Sequence, residues 1–226
     1  MTSTKLSLVS FGLLFASLAG AFAQSTPAAI PTTTNGILLH CTSPYEDLVA
    51  PGLANKEKTI TDLLATADKE AEAVKKVLPA DAAQEFQSLL QKMHEAAAAK
   101  DGRAVALNGM VVYRLLVDHL QADTLRIPKE VDLLDYAGYQ LQILAAADKP
   151  DWEAIGQVAT DASTWWTAIA KPKITNKAVR ATVTSAIRGI QQAVQEKNLA
   201  MLKFGAQMDL DLVDVLEGLF PKPIKK

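Results

Sequence analysis

The chain has 226 residues, 49% of them hydrophobic, and its 23 basic residues nearly balance 25 acidic ones for a formal net charge of −2. This length allows one full hydrophobic core or two small fused ones. Nucleic-acid binding needs a concentrated basic face, and the one basic block is the short tail at 222–226, so composition argues against that class.

Residues 1–23 have the pattern of a secretory signal peptide. Lys5 supplies a positive start, an apolar run extends from Leu6 to Leu18, and Ala21-Phe22-Ala23 is a small-x-small cleavage site. The run is too short and too interrupted for a membrane anchor, which needs about 20 apolar residues. We therefore expect cleavage after Ala23 and a periplasmic or secreted protein with no stable membrane span. An uncleaved anchor is the main alternative.

Residues 24–56 are rich in proline, threonine, serine and glycine, which interrupt regular structure. This composition predicts an extended arm or linker, with Ile37-Leu38-Leu39 as its one patch able to pack on a core. The single cysteine, Cys41, lies here beside His40. Its role is open between an inert thiol, a ligand and an intermolecular disulfide. The inert thiol is favoured because free cysteine usually behaves as a small hydrophobic residue.

From residue 57 to residue 221 the apolar residues recur with helical spacing. Seven segments place apolar side chains at positions i, i+3, i+4 and i+7, and most end at a proline or a glycine. The predicted helices cover residues 57–78, 86–97, 103–121, 130–147, 151–170, 179–194 and 199–219. No segment has the strict alternation of a half-buried strand. The prediction is an all-α protein, a bundle of about six to seven helices.

The helical region resembles itself internally. Residues 58–64 resemble residues 129–134, and residues 86–100 resemble residues 183–197. This predicts a duplicated three-helix unit, with copies at 57–121 and 129–219 and one extra helix in the second copy. Two such units can pack together because neither buries its apolar face alone.

Three polar residues fall on the apolar faces of predicted helices. Asn108 and His119 lie within the apolar arc of the third helix, and Asp209 lies within that of the seventh. A buried carboxylate is unfavourable unless it is paired, so Asp209 needs a partner, and His119 or Asn108 would serve. Such a pair is most often a structural ion pair, but it can be a proton-sensitive latch or part of a metal or ligand site.

Aromatic residues supply a second set of candidates. Trp166 belongs to the core stripe of the fifth helix, and Trp165 then points outward. An outward Trp165 is a candidate partner-contact residue, with packing under the arm or against the following loop as the alternative. Tyr136 and Tyr139 lie on the flanks of the fourth helix, where they could line a groove.

The acidic residues Asp211, Asp214 and Glu217 share the solvent side of the seventh helix. We interpret them as an ordinary solvated face.

The sequence has no recognisable catalytic motif: no dinucleotide-binding Gly-x-Gly-x-x-Gly, P-loop, Gly-x-Ser-x-Gly or His-Glu-x-x-His. Three histidines without a Glu-x-x-His pair do not suggest a di-iron site. We therefore predict an exported, non-enzymatic helical bundle that binds a partner protein or small ligand in the cell envelope. One alternative is a periplasmic metal- or cofactor-binding bundle using His119 and Asp209, with Asn108 or His94 assisting. The other is a purely structural scaffold. The residues point to no particular cofactor, metal or oligomeric state.

Overall fold

A computed structural model describes residues 30–220, so the predicted signal peptide at 1–23 and the basic tail at 222–226 lie outside the described residues. Between residues 30 and 220 there are ten α-helices, one short 3-10 turn and no strand. The helices are α1 (Thr34–His40), α2 (Ser43–Asp47), α3 (Val49–Leu53), α4 (Glu57–Val77), α5 (Ala80–Ala98), α6 (Gly102–Asp118), α7 (Lys129–Ala145), α8 (Trp152–Ala170), α9 (Lys177–Gln195) and α10 (Leu199–Gly218). The prediction of an all-α helical bundle is confirmed.

The seven predicted helices correspond to α4–α10, and two of their connections are built alike. In the α5–α6 and α9–α10 turns the chain reverses at Lys100 and Lys197, whose φ angles are 59° and 50°. The next residue then caps the following helix: Asp101 accepts a hydrogen bond from the Ala104 amide, and Asn198 accepts one from the Met201 amide. A left-handed residue followed by a polar N-cap lets each helix end and the next begin within a few residues.

The segment predicted as an extended arm is instead largely helical over its described part. The short helices α1–α3 occupy most of residues 34–53, and their apolar side chains, among them Leu38 and Tyr45, are buried. Asn35 anchors the segment, because its amide nitrogen donates to Gln121 O at 2.9 Å and its Oδ1 accepts from Gln121 N at 2.8 Å. Helices this short are unstable alone, so tertiary packing holds them.

Buried side chains form two clusters, here called the first core and the second core. The first core belongs mainly to α1–α6 and the second to α7–α10. In the second core α7, α8, α9 and α10 pack in a ring, whereas in the first α1–α3 fill the gap between α4 and α6. Helix α7 serves both, since Leu133 and Ile143 lie in the first core while Leu134 and Leu141 lie in the second.

Helices α7 and α10 approach each other closely at Gly138. A Cβ atom on that residue would lie 2.6 Å from Leu210 Cδ2 and 3.3 Å from Ala206 O, so this close approach requires a residue without a side chain. Helices α3 and α6 meet in the same way, at Gly52 and Gly102. In the described range, 30–220, no helix is both long and apolar enough to cross a bilayer.

Candidate functional site

A cavity of about 500 Å³ lies where the two cores meet. Helices α1, α2 and α6 provide its walls on the side of the first core, and α7 and α10 provide those on the side of the second. Six of the lining side chains are carboxylic acids: Glu46, Asp132, Asp135, Asp211, Asp214 and Glu217. Among the described lining residues there is no lysine, arginine or histidine. We call this space the acidic cavity; the described residues include one basic side chain, Arg126, that acts on one of these acids, Glu217, from outside the lining.

Two of these acids, Asp132 and Asp135, lie on α7. They are three residues apart, so they project from the same face of the helix. Burial, reinforced by the carboxylate of Glu217, raises the pKa of Asp132 to about 7. Burial and the carboxylates of Glu46 and Glu217 raise the pKa of Asp135 to about 8, although a hydrogen bond from Tyr113 opposes the rise. Both acids therefore change charge near neutral pH.

Glu46 reaches the acidic cavity from α2, and Tyr139 holds it there. The Tyr139 hydroxyl donates to Glu46 Oε1 at 2.9 Å, which links α7 to α2. Burial raises the pKa of Glu46, and the same hydrogen bond opposes that rise. A five-residue helix has little stability of its own, so this bond and the buried side chain of Tyr45 position the carboxylate.

The opposite wall carries the acids of α10, Asp211, Asp214 and Glu217, which recur every three residues and remain exposed. Burial and the carboxylate of Asp214 raise the pKa of Glu217, while the guanidinium of Arg126 lowers it. We predicted a solvated face here. These acids do meet solvent, but they also form one side of the acidic cavity, facing the acids of α7.

Amide side chains bridge α7 and α10 along the same wall. The Gln142 amide donates to Gln207 Oε1 at 3.1 Å, and the Gln207 amide donates to Asp211 Oδ1 at 2.8 Å. Both glutamines line the cavity. They fix the orientation of one carboxylate and add polar groups without adding charge.

The arrangement favours positively charged ligands. Carboxylates accept strong, charge-assisted hydrogen bonds from ammonium and guanidinium groups. No three histidine, cysteine, aspartate or glutamate side chains within residues 30–220 are gathered closely enough to hold a metal ion. The acids surround a space rather than converging on one point.

The predicted trio of Asn108, His119 and Asp209 is not joined by hydrogen bonds. The Asn108 amide donates to Ala104 O at 2.8 Å, and His119 Nδ1 lies 2.8 Å from Leu115 O, so both side chains interact with the backbone of α6. Asp209 lies on α10, and both α6 and α10 pack against α7. The His–Asp pairing considered from the sequence is therefore not formed.

Asp209 itself is buried, as predicted from its position on the apolar face, with 1% of its surface exposed. Its Oδ2 atom has no hydrogen-bond partner among residues 30–220. Burial raises its pKa to about 7. Asp209 does not line the acidic cavity, although Leu210 and Asp211 do.

Trp165 is half-buried and contacts side chains of its own chain. Its ring meets that of Tyr136 edge to face at 6.2 Å between centroids, and the Arg114 guanidinium lies 4.7 Å from its centroid. Arg114 also forms an ion pair with Asp118, at 2.7 Å. The tryptophan thus packs on α6 and α7, and not on the arm or the following loop, which the sequence had suggested as alternatives.

Cys41 is buried, with 1% of its surface exposed. Burial and the neighbouring carboxylate of Glu70 raise the pKa of its thiol to about 12. The same carboxylate lies 3.3 Å from His40 Nε2. A thiol in these surroundings stays protonated, which is the opposite of what an activated nucleophile or a metal ligand needs.

No protein-family model, curated protein or solved structure matches the chain.

Proposed function

We propose that this protein binds an extended organic cation, of the diamine or polyamine class, in the acidic cavity between its two cores. The observation that carries the proposal is that six carboxylic acids line the cavity, while no described lining residue is basic. Apart from Glu217, whose charge Arg126 partly offsets, these carboxylates disfavour one another, and a bound cation relieves that repulsion. The volume of about 500 Å³ suits a small molecule.

The distribution of the acids favours several cationic groups over one metal ion. Asp211 and Glu217 are six residues apart, which corresponds to about 9 Å along α10. Ammonium groups separated by short methylene chains would reach acids on both walls. Leu39, Leu210 and Val213 also line the cavity and offer apolar surface to those methylenes.

The setting that we propose combines export with a duplicated architecture. Residues 1–23 would direct the chain to the periplasm or out of the cell, where it acts as a binding protein rather than an enzyme. The two halves would be copies in which α4 corresponds to α7, α5 to α9 and α6 to α10, with α8 as the extra helix of the second copy. Support for the duplication comes from the shared turns at Lys100 and Lys197. The acidic cavity would then lie between the copies.

Calorimetric titration of the chain with spermidine at about pH 8.5, where carboxylates with these pKa values are ionised, tests the proposal. Asp132→Asn combined with Asp135→Asn should weaken binding by at least about tenfold, because two charge-assisted contacts are lost. The control is Glu85→Gln combined with Asp123→Asn, which removes two exposed carboxylates outside the lining. Equal loss in both double variants, or no binding at all, would overturn the proposal. So would calcium binding with no spermidine binding.

A further inference from the structure

A second cavity, also of about 500 Å³, lies between the end of α8 and the first two thirds of α9. Four basic side chains line it: Lys171, Lys177, Arg180 and Arg188. No described lining residue is acidic. We call this feature the basic groove. It belongs to a stretch, residues 162–195, with five basic residues and no acidic one, although the whole chain has a net charge of −2.

The cations of the basic groove have no acidic partner in the described part of the chain. Some basic side chains elsewhere in the described chain pair with acids, as Lys58 does with Asp62 at 2.6 Å. None of the four groove cations forms a salt bridge with a described residue. A local excess of positive charge without internal partners is unfavourable unless solvent or a ligand anion balances it.

The hydroxyl groups in the groove donate to the backbone, so the ammonium and guanidinium groups are its main hydrogen-bond donors for a ligand. Arg180 Nη1 donates to Ile174 O at 3.1 Å, which orients the guanidinium and leaves its other N–H groups without a hydrogen-bond partner among the described residues. The hydroxyls of Thr184 and Ser185 donate instead to backbone carbonyls of α9, at 2.7 and 3.0 Å. A ligand in the groove would therefore be recognised by ammonium and guanidinium groups.

The spacing of these groups favours an anion with phosphate chemistry. Guanidinium groups match phosphate oxygens bidentately, and an ammonium adds a compact charge. Lys177 and Arg180 lie about 4.5 Å apart along α9, and Arg188 lies about 12 Å further on. The groove begins at the N-terminus of this 19-residue helix, whose dipole also favours negative charge.

We propose that the basic groove is an anion-binding site for a phosphate-bearing ligand, separate from the acidic cavity and independent of its proposed function. A soluble phosphate compound and an anionic phospholipid headgroup both supply this chemistry. The two sources are distinguished by two probes, inorganic pyrophosphate in solution and vesicles of phosphatidylglycerol in phosphatidylcholine. Pure phosphatidylcholine vesicles serve as the blank.

The test compares two double variants that lose the same charge. Lys177→Gln with Arg188→Gln removes two groove cations, and Lys92→Gln with Lys203→Gln removes two exposed cations outside it. We expect at least one probe to bind, the groove variant to weaken that binding by about tenfold or more, and the control to stay within about twofold. Circular dichroism checks that both variants keep their helices.

Each outcome bears on the proposal. Binding of pyrophosphate alone identifies a soluble ligand, and binding of anionic vesicles alone identifies a headgroup. Failure of both probes overturns the proposal. Equal weakening in the groove and control variants also overturns it, because binding would then depend on total charge rather than on the groove.

Discussion

The Tyr113 hydroxyl donates a hydrogen bond of 3.3 Å to Asp135 Oδ2, across the boundary between α6 and α7. It stabilises the ionised form of a carboxyl whose pKa burial and nearby carboxylates raise to about 8. Asp132, one turn earlier on α7, has a pKa raised to about 7. The charge of the acidic cavity therefore depends on pH across the neutral range.

If the acidic cavity binds a polyamine, its affinity should rise with pH. Raising the pH from about 6 to about 9 deprotonates Asp132 and Asp135 and increases the negative charge that the ligand meets. A cation favours the ionised acids, so binding near pH 7 should also release protons. Calorimetry with spermidine, in buffers of different ionisation enthalpy, measures both effects.

A single substitution separates the contributions of the two acids. Asp135→Asn should remove the part of the pH dependence near pH 8 and keep the part near pH 7. An affinity that stays constant between about pH 6 and pH 9 would contradict the assignment of these acids to the binding site.

Asp209→Asn should stabilise the protein at alkaline pH and have less effect at acidic pH. Burial raises the pKa of Asp209 from 3.8 to about 7, so the folded state binds the proton more tightly than the unfolded chain. Stability from this group is therefore fully present below about pH 4 and falls as the pH rises to about 7. The variant should be more stable by up to about 4 kcal/mol at pH 8 but by only about 1–2 kcal/mol at pH 5, and urea denaturation at the two pH values measures the difference.

The matched control is Asp123→Asn, which neutralises an exposed acid and should change stability equally at both pH values. An Asp209→Asn variant with the same effect at pH 5 and pH 8 would mean that the buried carboxyl is not protonated in the native state.

Local periodicity explains why α4–α10 could be predicted from the sequence. Each of these helices spans at least 17 residues, enough turns for its apolar face to repeat. The helices α1–α3 have at most seven residues and contain prolines and glycines, so their sequence resembles a loop. Pro44 lies in the first turn of α2, where a missing amide hydrogen is tolerated. Tertiary packing determines the helical structure of this segment, and local sequence patterns do not show which packing contacts form.

The acidic cavity was harder to predict for a related reason. Helical spacing places Asp211, Asp214 and Glu217 on one face and allows Tyr136 and Tyr139 to line a groove, and of these two tyrosines Tyr139 lines the cavity. Predicting the cavity also requires knowing that Asp132 and Asp135 lie on the neighbouring helix and that Glu46 comes from a short helix in the other half. Helical spacing reports which residues share a face, but not which two faces meet.

Gly138→Ala should destabilise the protein by about 1–3 kcal/mol through overpacking. The added methyl would lie 2.6 Å from Leu210 Cδ2, so α7 and α10 would have to separate or Leu210 would have to move. Adding Leu210→Ala to Gly138→Ala should recover part of the loss, since it removes the clashing atoms. Thermal or urea denaturation of the two single variants and the double variant measures this coupling.

Gly156→Ala is the matched control, because a Cβ atom there meets only Val194 Cγ1, at 3.5 Å. In the interior of α8 this change should stabilise the helix by about 0.5–1 kcal/mol. Destabilisation at Gly156 equal to that at Gly138 would show that the α7–α10 contact is not the cause.

Trp165 and Arg114 should be energetically coupled. The guanidinium lies 4.7 Å from the Trp165 ring centroid, and such cation–π contacts contribute about 0.5–1 kcal/mol when partly exposed. A double-mutant cycle with Trp165→Leu and Arg114→Met, followed by urea denaturation, should give a coupling energy of that size. If the effects of the two single substitutions on stability were strictly additive, the Arg114 contact would not stabilise Trp165. The role of Trp165 as a contact for a partner would then stay open.

Cys41 should not react with a thiol reagent in the native protein at about pH 8, and should react fully after denaturation. Only 1% of its surface is exposed, so a reagent cannot reach the sulfur easily. Burial beside Glu70 raises the pKa of the thiol to about 12, so little of it is ionised to the reactive thiolate. Glu70→Gln removes the neighbouring charge but keeps the burial, which is the larger cause of the raised pKa. That variant should therefore gain little reactivity. Rapid native labelling, or a reducible dimer on a non-reducing gel, would contradict the placement of Cys41 in the first core and return it to an intermolecular role.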